Sequence, residues 1–393
     1  MSFSGYEQVF ILKDQLVSGV TSIDAGYDTQ TEPLYIAGMG YVDNFISGPT
    51  EGSVQISRYM LGPDFIKDIG DEEPLSGGVI YDNGQCVGFQ RGRLLEYTVS
   101  CNVGQVPTIK NSFKVYGNLG GGISPVQRWS ATKEYSIDGL ASMSKTATNG
   151  FAIDEIYKSK TDNNLNNLTD DTSNWEFLGA GPTGVLKARE VLDAKYPLEN
   201  RTYTVPTQGS MTVSFDGSTE NAVLGFNYSR GLDLESLYAL REAAKKGTPL
   251  TDYEALDIQI RYPIKSTFDF TVSLDNYKLS DMRAFMDYSH WSNGRIEQDI
   301  SISIKDPQNL SGPDIMTYSV TKAKLLSEQT GSNAGEETTL NISFEGYERD
   351  AGTPDPYFNG GTNYAGGDFQ GGAGDGQSQG LEQDVSNVNT RQS

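Results

Sequence analysis

The stretch "EYTVSCNVGQVPTIKNSFKVYG", Glu96 to Gly117, restricts the possible folds more than any other feature of the chain. Leu95, Tyr97, Val99, Cys101 and Val103 alternate with Leu94, Glu96, Thr98, Ser100 and Asn102. A period of two sends successive side chains to opposite faces of a strand, so one face here is apolar and the other mainly polar. After the turn-forming "GQVP", Ile109, Phe113 and Val115 alternate with Lys110, Ser112 and Lys114, which predicts an antiparallel hairpin. A relative lies far downstream in "TYSVTKAKLLSEQTGSNAGEETTLNISFEGY". There Tyr318 and Val320 alternate with Ser319 and Thr321, and Leu340, Ile342 and Phe344 with Thr339, Asn341, Ser343 and Glu345. Its connection, "SEQTGSNAGEE", is polar and acidic and is expected to project beyond the sheet.

Further anchors occur in the same order in both halves. Tyr35 and Tyr238, Pro49 and Pro263, Tyr59 and Tyr277, Tyr97 and Tyr318, Phe113 and Phe344 are separated by 203, 214, 218, 221 and 231 residues. An offset that only grows is expected of a duplicated unit whose second copy carries longer loops. The fold class predicted is mostly β: two tandem related β-sandwich or barrel domains with a flanking helix, an inserted region and a Gly-rich C-terminal tail. The divisions are an N-terminal arm over 1–14, a first β domain over 15–121, an inserted and exposed region over 122–205, a second β domain over 206–350, and a flexible tail over 351–393. The flanking helix is predicted in "DLESLYALREAAKKG", capped by Asp233 with Leu234, Leu237 and Leu240 at helical spacing. The insertion holds "KTDNNLNNLTDD", which buries too little apolar area to order itself, and a helix candidate, "TGVLKAREVLDAK".

Composition narrows the chemistry. Against 30 Lys and Arg stand 52 Asp and Glu, a net charge of −22 over 393 residues, and such a field repels phosphate and anionic lipid. No segment reaches the roughly 20 apolar residues that span a bilayer, and "MSFSGYEQVF" lacks a signal-peptide pattern, so synthesis in the cytoplasm is expected. The two cysteines, Cys86 and Cys101, read as unbridged small strand residues. One histidine, His290, and no nucleophile motif leave a hydrolase triad unsupported, so no catalytic residue is assigned. Two Cys and one His build no common zinc site, and the Asn/Asp run lacks the Gly and Glu of an EF-hand loop, so neither metal nor cofactor is expected.

Taken together, "VPTQGSMTVSFDGSTENAVLGFNYSRGLDLESLYAL", "IQIRYPIKSTFDFTVS" and the downstream hairpin resemble the bacteriophage tail tube proteins. The resemblance covers 206–350 best and reaches 15–121 through the repeat. It implies a non-enzymatic virion protein that assembles with itself into stacked rings, as a trimer of doubled units or a hexamer, and with other virion proteins. DNA would pass through an acidic conduit without specific binding, and no membrane is involved. Candidate assembly contacts are Glu336 and Glu337, the hairpin tip from Val103 to Pro107, and Tyr357, Phe358, Tyr364 and Phe369 in the tail. The alternative is a β-sandwich binding module of a phage fibre, neck or capsid-decorating protein, recognising a carbohydrate or protein through aromatics such as Trp175 and Trp291.

Overall fold

The computed structural model describes residues 8–34, 44–64, 66, 74–81, 84–146, 152–167, 169, 171–197, 203–220, 223–237, 257–273, 297–331 and 338–348. Its first strands are β1 (Gln8–Leu12), β2 (Gln15–Val17), β3 (Val20–Leu34), β4 (Asn44–Tyr59), β5 (Leu75–Tyr81), β6 (Cys86–Asn102), β7 (Thr108–Val115) and β8 (Leu119–Gly121). A middle segment carries β9 (Glu134–Tyr135), β10 (Leu140–Thr146), β11 (Ala152–Ser159), β12 (Asn164–Leu165), β13 (Trp175–Ala180) and the helix α1 (Gly181–Lys195). Then follow β14 (Met211–Phe215), β15 (Ser218–Glu220), β16 (Val223–Leu237), β17 (Asp257–Ser273), β18 (Glu297–Lys305), β19 (Asp314–Gly331) and β20 (Thr339–Glu348). The protein is mostly β.

The same topology is written twice. In the first half neighbouring strands run β3-β4-β7-β6-β5-β1-β2, and in the second β16-β17-β20-β19-β18-β14-β15, so each strand has a counterpart at the same place in chain order and in the sheet. The residues 8–12 that fall in the expected N-terminal arm form β1, which pairs with β2 and β5. Registers match as well. Ala25 faces Val54 as Tyr228 faces Phe268, and Val54 faces Phe113 as Phe268 faces Phe344. Even the irregularities recur: the register shifts between Val20 and Ser22 and between Val223 and Gly225, and again between Leu94 and Glu96 and between Leu325 and Ser327.

This ladder corrects two anchors. Tyr59 faces Thr108 as Ser273 faces Thr339, so the counterpart of Tyr59 is Ser273 and not Tyr277. Leu94 and Leu325 both face the equivalent phenylalanines, Phe113 and Phe344, so the counterpart of Tyr97 is Glu328 and not Tyr318. The two tyrosines instead meet, hydroxyl to hydroxyl at 3.0 Å. A slip by an even number of residues keeps every side chain on its face, so alternation alone cannot detect it.

The inward face of the sheet builds one continuous core across both halves. Val54, Ile56, Ile109, Phe113, Tyr97 and Val99 lie in it with Tyr228, Phe268, Phe270, Leu340 and Phe344. Across from them pack Phe89, Phe215 and Tyr318, with ring centroids 5.8 Å apart for Phe89 and Phe113, 5.1 Å for Phe215 and Phe270, and 4.7 Å for Tyr228 and Tyr318. A smaller core is made where Val185, Ala188 and Leu192 of α1 cover Ile11, Ile80 and Ile156.

The middle segment and the predicted flanking helix both depart from expectation. The run around Asn164 is ordered by hydrogen bonds in place of apolar burial: Asn164 Nδ2 donates to Ser159 Oγ at 2.9 Å and Asn167 Nδ2 to Asn164 Oδ1 at 2.8 Å. Short amides satisfy nearby groups in this way without a core. The helix candidate of the insertion is present as α1, with Pro182 in its first turn, where a missing N–H costs nothing. The helix expected from Asp233 is not formed where it can be seen, because Asp233 to Leu237 extend β16 and pair with Arg261 to Asp257 of β17. Cross-strand burial of Leu234 outweighs a helical propensity worth tenths of a kcal/mol per residue. Residues 238–256 lie outside the described ones. Because Phe113 is fully buried at the junction of β4, β6 and β7, Phe113→Ala is expected to lower the unfolding free energy by about 3–5 kcal/mol in a denaturant titration.

Candidate self-assembly surface

From β3 to the distal part of β19, eight strands are joined without a break in the order β3-β4-β7-β6-β16-β17-β20-β19. Each half supplies four of them. The seam between the halves is the ladder of β6 with β16, from Glu96 opposite Gly231 to Asn102 opposite Gly225. A Cβ on Gly225 would lie 2.4 Å from the side-chain oxygen of Asn102 and 3.1 Å from the Cys101 carbonyl oxygen, so a larger residue there has to displace the Asn102 side chain.

The face opposite the core is made of short polar side chains. Ser100, Asn227, Asp269, Ser343 and Ser327 are successive cross-strand partners. Asn227 Nδ2 donates to Asp269 Oδ2 at 3.2 Å and Ser343 Oγ to Asp269 Oδ1 at 2.6 Å. Parallel rows hold a Ser229–Thr267 hydroxyl pair at 2.8 Å and a bond from Thr271 Oγ1 to Asn341 Oδ1 at 2.9 Å. Two lysines on this face are neutralised locally, Lys114 by Glu51 at 3.0 Å and Lys265 by Glu345 at 2.7 Å.

Beneath the seam a buried polar cluster ties the halves together. Arg58 forms an ion pair with Asp64, and Arg58 Nε donates to Asn111 Oδ1 at 3.3 Å. Tyr97 donates to Asp64 Oδ2 at 2.8 Å while its oxygen meets Tyr318 from the second half. Asp64 also accepts the backbone N–H of Ile66 at 2.9 Å. Burial, followed by the Asp64 carboxylate, raises the phenol of Tyr97 well above its ordinary value, and burial does the same for Tyr318. The ion pair lies wholly in the first half, and the contact that crosses is the neutral Tyr97–Tyr318 hydroxyl pair; any other placement would leave these buried hydroxyls without each other.

Among the described strands the eight-stranded sheet ends in two open edges. Among the described strands β3 pairs only with β4, leaving its other side unpaired, and residues 24–28 are exposed on both faces, Tyr27 at 72%. On β19, pairing with β18 stops at Lys324, so Leu325 to Gly331 have β20 on one side and no described strand on the other. These edges were not singled out in the sequence. Their signal was a strand of small and polar residues, "SIDAGYD", whose counterpart "GFNYSRG" carries buried aromatics.

The candidates named from sequence are scattered. Val103 is 45% exposed at the β6–β7 tip, where its N–H donates to Leu224 O at 2.8 Å, and Pro107 is buried, its carbonyl accepting from Met60 at 2.9 Å. Residues 327–331 of the expected projecting loop belong to β19. Glu336, Glu337, Tyr357, Phe358, Tyr364, Phe369, His290 and Trp291 lie outside the described residues. Trp175 is 2% exposed with its indole N–H donating to Asn167 O at 3.0 Å, so its ring is core. Cys86 and Cys101 are unbridged and buried, and burial pushes the Cys101 thiol to about 11. Among the described residues no group of three or more His, Cys, Asp or Glu could hold a metal ion, and no helix is long and apolar enough to cross a membrane.

No family model matches the chain, and no curated protein matches it. Among solved structures it is similar to Hcp1 from Flavobacterium johnsoniae, at 13% identity over 36% of this chain and 98% of that one, with a TM-score of 0.20. It is also similar to a chain of the anti-feeding prophage baseplate, at 14% identity over 36% of this chain and 87% of that one, with a TM-score of 0.21. At those TM-scores neither likeness carries an argument about function.

The buried phenols predict an alkaline stability loss. Their neutral form is held in the fold, while in the unfolded chain they ionise near 10, so the contribution is complete below pH 10. Above it the native state binds more protons, and stability falls by about 1.4 kcal/mol per pH unit for each tyrosine. Tyr318→Phe is expected to remove one tyrosine's share of that slope in urea titrations between pH 9 and 11.

Proposed function

We propose that the chain is a structural subunit of a virus-like tail, whose eight-stranded sheets join edge to edge into the wall of a conduit. The observation that supports this most is the sheet itself: both repeats contribute to one surface, polar on one face, packed on the other and open at both ends. A sheet with two free edges is either a liability or a means of assembly. Over Ser22–Asp28 of β3 and Leu325–Gly331 of β19 the edges carry no proline, the one proline of β3 being Pro33, beyond that stretch.

Size favours three copies over two. With strands about 4.8 Å apart and tilted by about 40°, eight strands from each of three copies close a barrel roughly 48 Å across at the backbone, against roughly 32 Å for two. After side chains, the first leaves roughly 35 Å, enough for a DNA duplex with its hydration, and the second leaves too little. A six-copy ring with only one repeat lining the channel fits less well, because the seam places both repeats in the same sheet with the same polar face. The wall is then hydroxyl and amide more than bare carboxylate, and its low adhesion comes from neutral short side chains and from the pairing of Lys114 and Lys265, with Lys110 an exposed lysine on the same face. The overall charge of −22 adds a repulsive field around it. A binding module that uses Trp175 finds no support, since that ring is covered.

Negative-stain microscopy of the purified protein over a concentration series tests the reading. Rings or tubes with a central channel are expected at high concentration; a protein that stays monomeric throughout would overturn it.

A further inference from the structure

We infer that the unpaired edge of β3 in one copy adds to the distal edge of β19 in the next, in the register already used inside each chain where β16 adds to β6. The duplication supplies this register residue by residue. Shared ladders make β3 the counterpart of β16, with Ala25 equivalent to Tyr228, and β6 the counterpart of β19, with Leu94 equivalent to Leu325. Within the chain Gly231 faces Glu96, Arg230 faces Tyr97, Ser229 faces Thr98 and Asn227 faces Ser100. Translated to the free edges, Asp28 faces Ser327, Tyr27 faces Glu328, Gly26 faces Gln329 and Asp24 faces Gly331.

Each edge has the form of half a seam. Arg230 and Tyr97, which meet inside the chain, are both buried, whereas Tyr27 is 72% exposed. Tyr27 would bring its hydroxyl to the Glu328 carboxylate, a donor opposite an acceptor. Bulges fall at equivalent places on both strand pairs, so the edges should have the same twist as the strands that already join. The contact is head to tail, β3 against β19 and never β3 against β3, and such an interface closes into a ring or winds into a filament. Since the internal seam repeats the external one, the wall would alternate between the two and contain twice as many repeats as chains.

This inference rests on the reading of the chain as a self-assembling subunit, and disulfide trapping separates the two. A Gly26→Cys chain is mixed with a Gln329→Cys chain under assembling, mildly oxidising conditions. A Cβ at position 26 meets nothing within 4 Å, so the first substitution should be accommodated, and the native cysteines are buried. Thr98→Cys with Ser229→Cys in one chain, at the equivalent internal pair, is the control that the ladder geometry accepts a disulfide. Far-ultraviolet circular dichroism verifies that each variant folds, and Asp28→Cys mixed with Ser327→Cys provides a second in-register pair.

The expected result is a covalent pair of chains as the major product of the Gly26→Cys and Gln329→Cys mixture. It should be absent from either chain alone and from an out-of-register mixture of Gly26→Cys with Leu325→Cys. Assemblies that form without either in-register pair would overturn the β3–β19 seam and leave the structural role standing. Failure of the wild-type chain to associate at all would overturn both.

Discussion

The ladder between β6 and β16 is the interaction on which the rest of the structure depends. Without it the chain would be two sandwiches on a tether; with it, two groups of four strands become one eight-stranded sheet with a common polar face. The seam is maintained from both sides. Backbone pairing runs from Glu96 to Asn102, and beneath it Arg58, Asp64 and Tyr97 of the first half reach Tyr318 of the second. Backbone pairing brings the strands together, and the buried Tyr97–Tyr318 hydroxyl contact favours one relative placement of the halves.

Duplication gives that seam its further meaning. When the same seven-strand order is written twice and the copies are joined by a strand pair, the outer copies of those strands each keep one side without a partner among the described strands. The free edge of β3 and the distal edge of β19 are therefore products of the topology. A duplicated unit can satisfy them by repeating the internal contact with another molecule, and this leads from topology to assembly without any localised chemical site.

Much of the fold was legible in the sequence, for a physical reason. A strand with one buried face must alternate, so β6, β7, β17, β18 and β20 stand out, and a growing offset exposes the duplication. What alternation cannot fix is register by even steps, and that is why Tyr97 was matched with Tyr318 when its counterpart is Glu328. The helix start read at Asp233 failed because local propensity is weaker than a long cross-strand ladder. Order in the Asn/Asp run was invisible because it comes from hydrogen bonds among short amides. The free edges left the faintest signal of all, since an edge is defined by the absence of a neighbour, which no single segment records.

Hydrogen exchange read peptide by peptide in dispersed and assembled protein tests the central claim most directly. Amides of residues 22–28 in β3 that face away from β4 should exchange fast in the dispersed protein and become strongly protected on assembly. Residues 96–102 of β6 should be protected in both states, because their partner is in the same chain. If residues 22–28 exchange as fast in the assembled state as in the dispersed one, β3 is not the joining edge and the account is wrong.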